Sequence, residues 1–229
     1  MADVRTITEI VAAFVREGFA SELGRPEVEM KEVLVSKRVR EAGSRLWLDT
    51  GDIEEALSLW NSNFEGLTVN KTLVNREVQK GIYDGFIPKA ASTIREASPD
   101  IDERRLLLEI TFALNAYHWL RLVEKIDAYV SVELHTDLAN DVEGTANYGR
   151  RFYEICLERF YVKVPLTPAG FLAARKLGEW GVPVNFTFGF SVRHNYLAAL
   201  LSRPRYVLCG KMKLDNGTRF LLVDPPHKI

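Results

Sequence analysis

The stretch FYVKVPLTPAGFLAARKLGEWGVPVNFTF, residues 160–188, places a segment of helical period between two short apolar runs. The first run, FYVKVP, covers residues 160–165, and the second, VPVNFTF, covers residues 182–188. Apart from Lys163, Asn185 and Thr187, both faces of each run are apolar, as parallel strands are when helices cover the sheet. The stretch therefore predicts a strand, a crossover helix and a second strand parallel to the first.

The same alternation extends in both directions along the chain. Four further apolar runs are RLWLDT (residues 45–50), GLTVN (66–70), AYVSVEL (128–134) and RYVLCG (205–210). This order predicts an α/β barrel or a doubly wound parallel sheet. The long connection from Thr72 to Ile126 predicts at least two helices. Asn216-Gly217, between two strand-like runs, predicts a terminal hairpin.

The first 43 residues have a different pattern. Apolar residues recur at helical spacing in residues 6–20, where Thr6 or Thr8 could cap the helix, and residues 26–42 form a second, charged helical stretch. The pattern changes after Gly43. We expect a helical extension over residues 1–43 and an α/β domain over residues 44–229.

Composition narrows the possible functions. The chain has 30 basic and 31 acidic residues with no long run of one sign, which argues against a nucleic-acid groove or a polybasic membrane patch. No apolar run approaches the ~20 residues of a membrane span. Cys156 and Cys209 are isolated, so neither a disulfide framework nor a zinc site is expected. The N-terminus lacks a signal-peptide pattern, and we expect a cytoplasmic protein that binds small uncharged or anionic metabolites.

Polar residues recur on the predicted strands. They are Asp49, Thr68, Asn70, Glu133, Lys163, Asn185 and Thr187. Each has a structural explanation: Asp49 could cap a helix, although Asp52 is better placed; Glu133 and Lys163 could form an ion pair; the asparagines could satisfy backbone groups. Together, however, they fit a site assembled from the carboxyl ends of several strands.

Lys163 suggests the chemistry of such a site. A lysine among apolar neighbours loses solvation of its ammonium form, and the free amine is a nucleophile for carbonyl compounds. Schiff-base chemistry also needs groups that move protons, and Asp49 and Glu133 could share that task.

At these residues the sequence resembles the transaldolases, Schiff-base-forming enzymes on a (β/α)8 TIM barrel. The matching segments span about residues 46 to 212 and come in the family's order: LWLDTGDIEEA, GLTVNKTLV, VSVELHTDLAND, the stretch from YVKVP to FGFS, and YVLCGKM. The resemblance implies transfer of a dihydroxyacetone unit between phosphorylated ketoses and aldoses, a reaction of the pentose phosphate pathway. It implies no metal or organic cofactor.

The resemblance also assigns roles. Lys163 would form the Schiff base, Asp49 would exchange the proton of the hydroxyl at the cleaved bond, and Glu133 would act with Thr187 through a water. Asn70 and Asn185 would hold the dihydroxyacetone hydroxyls. The remaining substrate-binding positions would be Thr68, Ser191, Tyr206 and Lys211.

The sequence departs from the family pattern in three places. Lys71 replaces a proline, which relaxes that turn. Tyr206 stands where the family has serine, and Lys211 stands where an arginine grips phosphate, which gives up the bidentate fork. The seventh and eighth strands have no counterpart. We therefore expect about six parallel strands and a terminal hairpin, with the gap closed by that hairpin, by a second copy or by another chain, unless the natural protein is longer.

Two alternatives to a transaldolase remain open. The same lysine could serve an aldolase acting on unphosphorylated sugars, because the phosphate site is altered. The chain could also be a transaldolase-like subunit that is inactive without a partner.

Overall fold

The computed structural model describes residues 6–19, 34–126, 128–187, 189, 191–201, 206–213 and 219–224. In this part of the chain the strands are β1 (Arg45–Asp49), β2 (Gly66–Thr68), β3 (Tyr129–Glu133), β4 (Phe160–Pro165), β5 (Val184–Thr187), β6 (Tyr206–Lys213) and β7 (Arg219–Asp224). The helices are α1 (Ile7–Val15), α2 (Leu34–Glu41), α3 (Ile53–Leu59), α4 (Lys71–Gln79), α5 (Phe86–Ala97), α6 (Glu103–Lys125), α7 (Val142–Ile155), α8 (Pro168–Glu179) and α9 (Val192–Leu201). A 3-10 turn covers Thr136–Leu138.

The strands form a closed barrel in sequence order. β1 to β6 run parallel to one another, and β7 is antiparallel to both β6 and β1. The predicted barrel fold is therefore confirmed, with six parallel strands and a terminal hairpin. The turn of the hairpin, Asn216-Gly217, lies outside the described residues, as do residues 20–33 of the predicted N-terminal helices.

Helices pack against the barrel strands, with α6 against β3, α7 against β4, and α8 against β4 and β5. The long second crossover forms α4, α5 and α6, in agreement with the prediction of at least two helices. The 23-residue α6 buries residues along most of its length, among them Trp119 and Leu122. α1 packs against α5, α6 and α7, where Val11 and Val15 are buried and the Phe14 and Phe86 rings lie 5.1 Å apart. The domain boundary after residue 43 stays a prediction.

Aromatic side chains fill the amino-terminal end of the barrel. The Trp47 ring lies directly against Gly66, where a Cβ would come within 2.8 Å of the indole, so the absence of a side chain makes room for tryptophan. Tyr161 meets Trp47 edge-on at 5.7 Å and Tyr129 edge-on at 5.2 Å. This packed layer leaves the carboxyl-terminal end as the open position for polar side chains.

Candidate active site

Contacts between strands that are not neighbours identify the side chains inside the barrel. Trp47 of β1 touches Tyr161 of β4, and the Asn185 amide of β5 donates to Ser131 Oγ of β3 at 3.0 Å. Such contacts must cross the interior. Because side chains alternate along a strand, the residues two positions further also face inward. The interior set at the carboxyl end is Asp49, Thr68, Ser131, Glu133, Lys163, Asn185 and Thr187.

Lys163 lies at the centre of this set. The register aligns it with Glu133 on one side and Asn185 on the other. Its Nζ donates to the Val69 carbonyl oxygen at 3.0 Å and lies 3.6 Å from Glu133 Oε1. Its side chain is 8% exposed, whereas that of Glu133 is 26% exposed. The arrangement gives one amine a carboxylate neighbour at the more open side of the barrel.

Two buried polar atoms of the interior set lack hydrogen-bond partners in the structure. They are Asn185 Oδ1 and Thr68 Oγ1. A buried polar atom without a partner costs free energy, and native structures satisfy most such atoms. Both face the barrel interior, so together they offer a hydroxyl-bearing ligand one acceptor and one hydroxyl.

Asp49 and Thr187 complete the interior set. Asp49 ends β1, is aligned with Thr68 and is buried at 5% exposure. It does not cap α3, because the Asp52 side chain accepts from Glu55 N at 3.0 Å in that position. Thr187 ends β5, is equally buried, and is aligned with Pro165 at the end of the Lys163 strand.

Asn70 and Ser191 both stand at helix starts. The Asn70 side-chain oxygen accepts from Leu73 N at 3.1 Å and caps α4, which leaves its amide group as the part that could meet a ligand. Ser191 Oγ accepts from His194 N at 3.2 Å in front of α9, and the residue is exposed. The structure therefore does not bring Ser191 into the buried set.

The last two predicted residues lie on β6. The backbone of Tyr206 is aligned with Asn185, and that of Lys211 is aligned with Leu221 of β7. Their side chains lie outside what the structure describes, so their contact with substrate stays a prediction.

Two further residues, Ser131 and Lys71, take part in the site. Ser131 lies two residues before Glu133, and this spacing within VSVE could have indicated an inward polar residue. The sequence pattern indicates Lys71 only as a residue that relaxes a turn. Its backbone N–H instead donates to Glu133 Oε2 at 3.1 Å, so the first residue of α4 fixes the orientation of the carboxylate beside Lys163.

Comparison with known protein families gives a match over most of the chain. The sequence profile of the transaldolase/fructose-6-phosphate aldolase family matches residues 46–208, which include β1 to β5 and the start of β6. The chain belongs to this family. The match covers the barrel strands that carry the interior polar set and excludes α1 and α2.

Individual transaldolases are similar to part of this chain. Transaldolase 2 of Nostoc sp. is 30% identical over 171 residues, which are 68% of this chain and 43% of the relative. The transaldolase of Xanthomonas euvesicatoria is 29% identical over 149 residues, which are 62% of this chain and 45% of the relative. The transaldolase of Thiobacillus denitrificans is 28% identical over 169 residues, 69% of this chain and 46% of the relative. The matched part thus amounts to less than half the length of these transaldolases.

No described helix is both long and apolar enough to cross a membrane. Within the same residues, no group of three or more histidine, cysteine, aspartate or glutamate side chains is arranged to hold a metal ion.

Proposed function

We propose that this chain transfers a dihydroxyacetone unit between phosphorylated ketose and aldose sugars through a Schiff base at Lys163. One observation carries the proposal: Glu133, Lys163 and Asn185 are aligned side by side on β3, β4 and β5, with the Lys163 amine 3.6 Å from the Glu133 carboxylate. Membership of the transaldolase/aldolase family supports the same reaction class.

The first half of the reaction forms and uses the imine. Glu133 takes a proton from the Lys163 ammonium, the amine attacks the ketose carbonyl carbon, and the carbinolamine loses water with help from Glu133 and Thr187 through a water molecule. Asp49 then removes the proton of the hydroxyl at the bond to be cleaved. That carbon–carbon bond breaks, an aldehyde leaves, and the bonding electrons pass to the iminium and give an enamine on Lys163.

The second half reverses these steps with another aldehyde. The enamine carbon attacks the acceptor carbonyl, Asp49 returns the proton to the new hydroxyl, and water hydrolyses the imine. Between the two halves the three-carbon unit must stay bound. Asn185 Oδ1, a buried atom without a partner, accepts from one of its hydroxyls, and the Asn70 amide donates to another.

The proposal predicts covalent trapping at one lysine. Borohydride reduction in the presence of fructose 6-phosphate should leave a stable adduct on the peptide that contains Lys163, as measured by mass spectrometry. Lys163→Met should abolish both the adduct and the turnover. Lys89→Met, which removes an exposed lysine from α5, is the matched control and should retain both. Absence of an adduct in the unmodified chain, or an adduct that persists in Lys163→Met, would contradict the proposal.

A second candidate is an aldolase acting on unphosphorylated sugars. It is favoured by Lys211 in the position of the phosphate-binding arginine, because a lysine lacks the bidentate fork. Comparing kcat/KM for fructose 6-phosphate with that for fructose decides between the two. A preference for the phosphorylated sugar of more than about tenfold, which corresponds to about 1.4 kcal/mol, argues for the transferase.

A requirement for a partner chain is tested in the same preparation. Size-exclusion chromatography with activity measured across the peak should give activity at the monomer position if the chain needs no partner. Activity confined to a larger species would instead support an assembly that completes the site.

A further inference from the structure

A second lysine at the carboxyl end of the barrel holds a buried ammonium without a partner. Lys71 is the first residue of α4, and its Nζ has almost no accessible surface and no hydrogen-bond partner in the structure. An ammonium donates up to three hydrogen bonds, and leaving a buried one unsatisfied costs free energy unless a ligand or water accepts from it. A hydroxyl group or a water that reaches Nζ would therefore satisfy it.

Lys71 is directly connected to the proposed Schiff-base site. Its backbone N–H donates to Glu133 Oε2 at 3.1 Å, and Oε1 of the same carboxylate lies 3.6 Å from Lys163 Nζ. Two residues before Lys71, the Val69 carbonyl accepts from Lys163 at 3.0 Å. The β2–α4 junction thus contacts Lys163 and Glu133, and Lys71 extends from that junction.

The charges around Lys71 restrict what it can bind. The negative charges of Glu133 and Asp137 act on the Lys71 ammonium. The His135 imidazole interacts with both Lys71 and Asp137. Nη2 of Arg104 lies 3.9 Å from Oδ2 of Asp137. Burial lowers the pKa of Lys71 below its ordinary value, although the two carboxylates oppose the shift. Burial, with the Lys71 charge contributing, also lowers the pKa of His135. Two carboxylates next to the ammonium disfavour a dianionic phosphate more than a neutral hydroxyl.

We propose that the Lys71 ammonium is a further substrate-binding group, which donates a hydrogen bond to a hydroxyl oxygen of the sugar in the Lys163 site. This inference rests on the proposed function, because it places a sugar in that site. Lys71, which stands where the transaldolases have a proline, would then contribute to recognition of the hydroxyl groups along the sugar chain. This role also explains why a costly buried ammonium occupies the first position of α4.

The test measures binding without chemistry. In a Lys163→Met background, calorimetry gives the Kd for fructose 6-phosphate and for fructose. Adding Lys71→Met should raise both values by the same factor, roughly 10- to 100-fold, as expected for loss of a hydrogen bond from a charged donor. Lys80→Met is the matched control, because Lys80 follows the last residue of the same helix and is exposed; it should leave both values unchanged.

Lys71→Arg separates binding from a structural role. Its guanidinium stays charged at all accessible pH values, so binding should persist at alkaline pH. With Lys71 the ammonium is lost as the pH rises through a pKa below the ordinary 10.5, so the Kd should rise at lower pH than in Lys71→Arg. A purely structural lysine would change the melting temperature without this difference.

Three results would overturn the inference. They are an unchanged Kd in Lys71→Met, a change in Kd confined to fructose 6-phosphate, and a Kd that rises at the same alkaline pH in Lys71→Arg as with Lys71. Failure of borohydride trapping at Lys163 in the unmodified chain would count against the proposed function instead. The two failures are distinguishable because the Kd measurements use a variant that cannot form the Schiff base.

Discussion

At the scale of single residues, His118 is a buried histidine that the proposed reaction does not use. It lies on α6 with no exposed surface, and its Nδ1 shares a hydrogen bond with the Tyr83 hydroxyl. Burial, with the charge of Arg121 contributing, lowers its pKa from 6.5 to about 4. The folded protein therefore keeps this imidazole neutral at pH values where the unfolded chain protonates it.

This difference predicts a pH dependence of stability. Because the pKa of His118 is lower in the folded protein, its contribution to the free energy of unfolding keeps its full value above pH 6.5. This contribution then decreases as the pH falls to about 4. The loss amounts to roughly 3 kcal/mol. Between pH 7 and pH 4, the free energy of unfolding measured with urea should decrease by roughly 3 kcal/mol less in His118→Gln than in the unmodified chain. His194→Gln, at an exposed position, should retain the full dependence; equal dependence in all three proteins would refute the expectation.

At this scale, site residues can be predicted from the sequence where one residue violates the burial pattern. A lysine within FYVKVP or a glutamate within AYVSVEL is conspicuous, because charge is costly on a buried strand. Ser131 and Lys71 cannot be predicted in the same way. A serine is unremarkable on a strand, and the role of Lys71 depends on the turn that brings its N–H to Glu133. Contacts of that kind follow from three-dimensional geometry and not from local sequence.

At the scale of secondary-structure elements, a buried ion pair joins α6 to α7. Glu109 has no exposed surface, and Arg151 forms a bidentate pair with it, at 2.9 Å from Nη1 to Oε1 and 2.5 Å from Nη2 to Oε2. The Tyr148 hydroxyl donates to Oε1 at 2.8 Å, and the Arg151 guanidinium lies over the Phe112 ring at 4.4 Å. This cluster fixes the long crossover helix against the helix that precedes the Lys163 strand.

Removing Arg151 should expose the cost of the buried carboxylate. Arg151→Met leaves Glu109 without its main partner, and we expect a loss of about 3–5 kcal/mol at pH 7 in urea unfolding. Arg105→Met is the matched control. Arg105 contacts the same carboxylate at 3.2 Å but is 51% exposed, so its loss should cost no more than about 1 kcal/mol.

The pH dependence of the same variants provides a check on the mechanism. Burial raises the pKa of Glu109, but Arg151, Tyr148 and Arg105 together bring it below its ordinary 4.5. The pair therefore contributes its full stability above pH 4.5 and loses it as the pH falls through the lowered pKa. The difference in free energy of unfolding between the unmodified chain and Arg151→Met should become smaller below pH 4.5. A difference that is constant with pH would mean that packing, and not charge, accounts for the loss.

At the scale of the whole molecule, the parallel strands and their order could be predicted, whereas closure of the barrel could not. Apolar runs and helical periods are local patterns, so they are visible along the chain. Closure depends on the pairing of β7 with β1, in which Leu46 is aligned with Leu222 across nearly the whole sequence. Asn216-Gly217 predicts a hairpin with β6 but says nothing about the second edge of β7. The sequence therefore leaves open whether the hairpin, a second copy, another chain or a longer natural protein completes the barrel, and in the structure β7 lies between β6 and β1.

β7 is the one antiparallel strand in the described residues, and closure of the barrel should depend on it. Leu221 is aligned with Trp47 of β1 and with Lys211 of β6, so a proline there removes a ladder N–H from a strand that is paired on both sides. Opening β7 would expose the unpaired edges of β1 and β6. Leu221→Pro should cost roughly 3 kcal/mol or more and lower the Tm by about 10 °C, whereas Leu221→Val, which keeps the N–H, should melt near the unmodified chain. Thermal circular dichroism measures both. If Leu221→Pro melts like Leu221→Val, β7 does not hold the barrel closed, and the site around Lys163 needs its support from elsewhere.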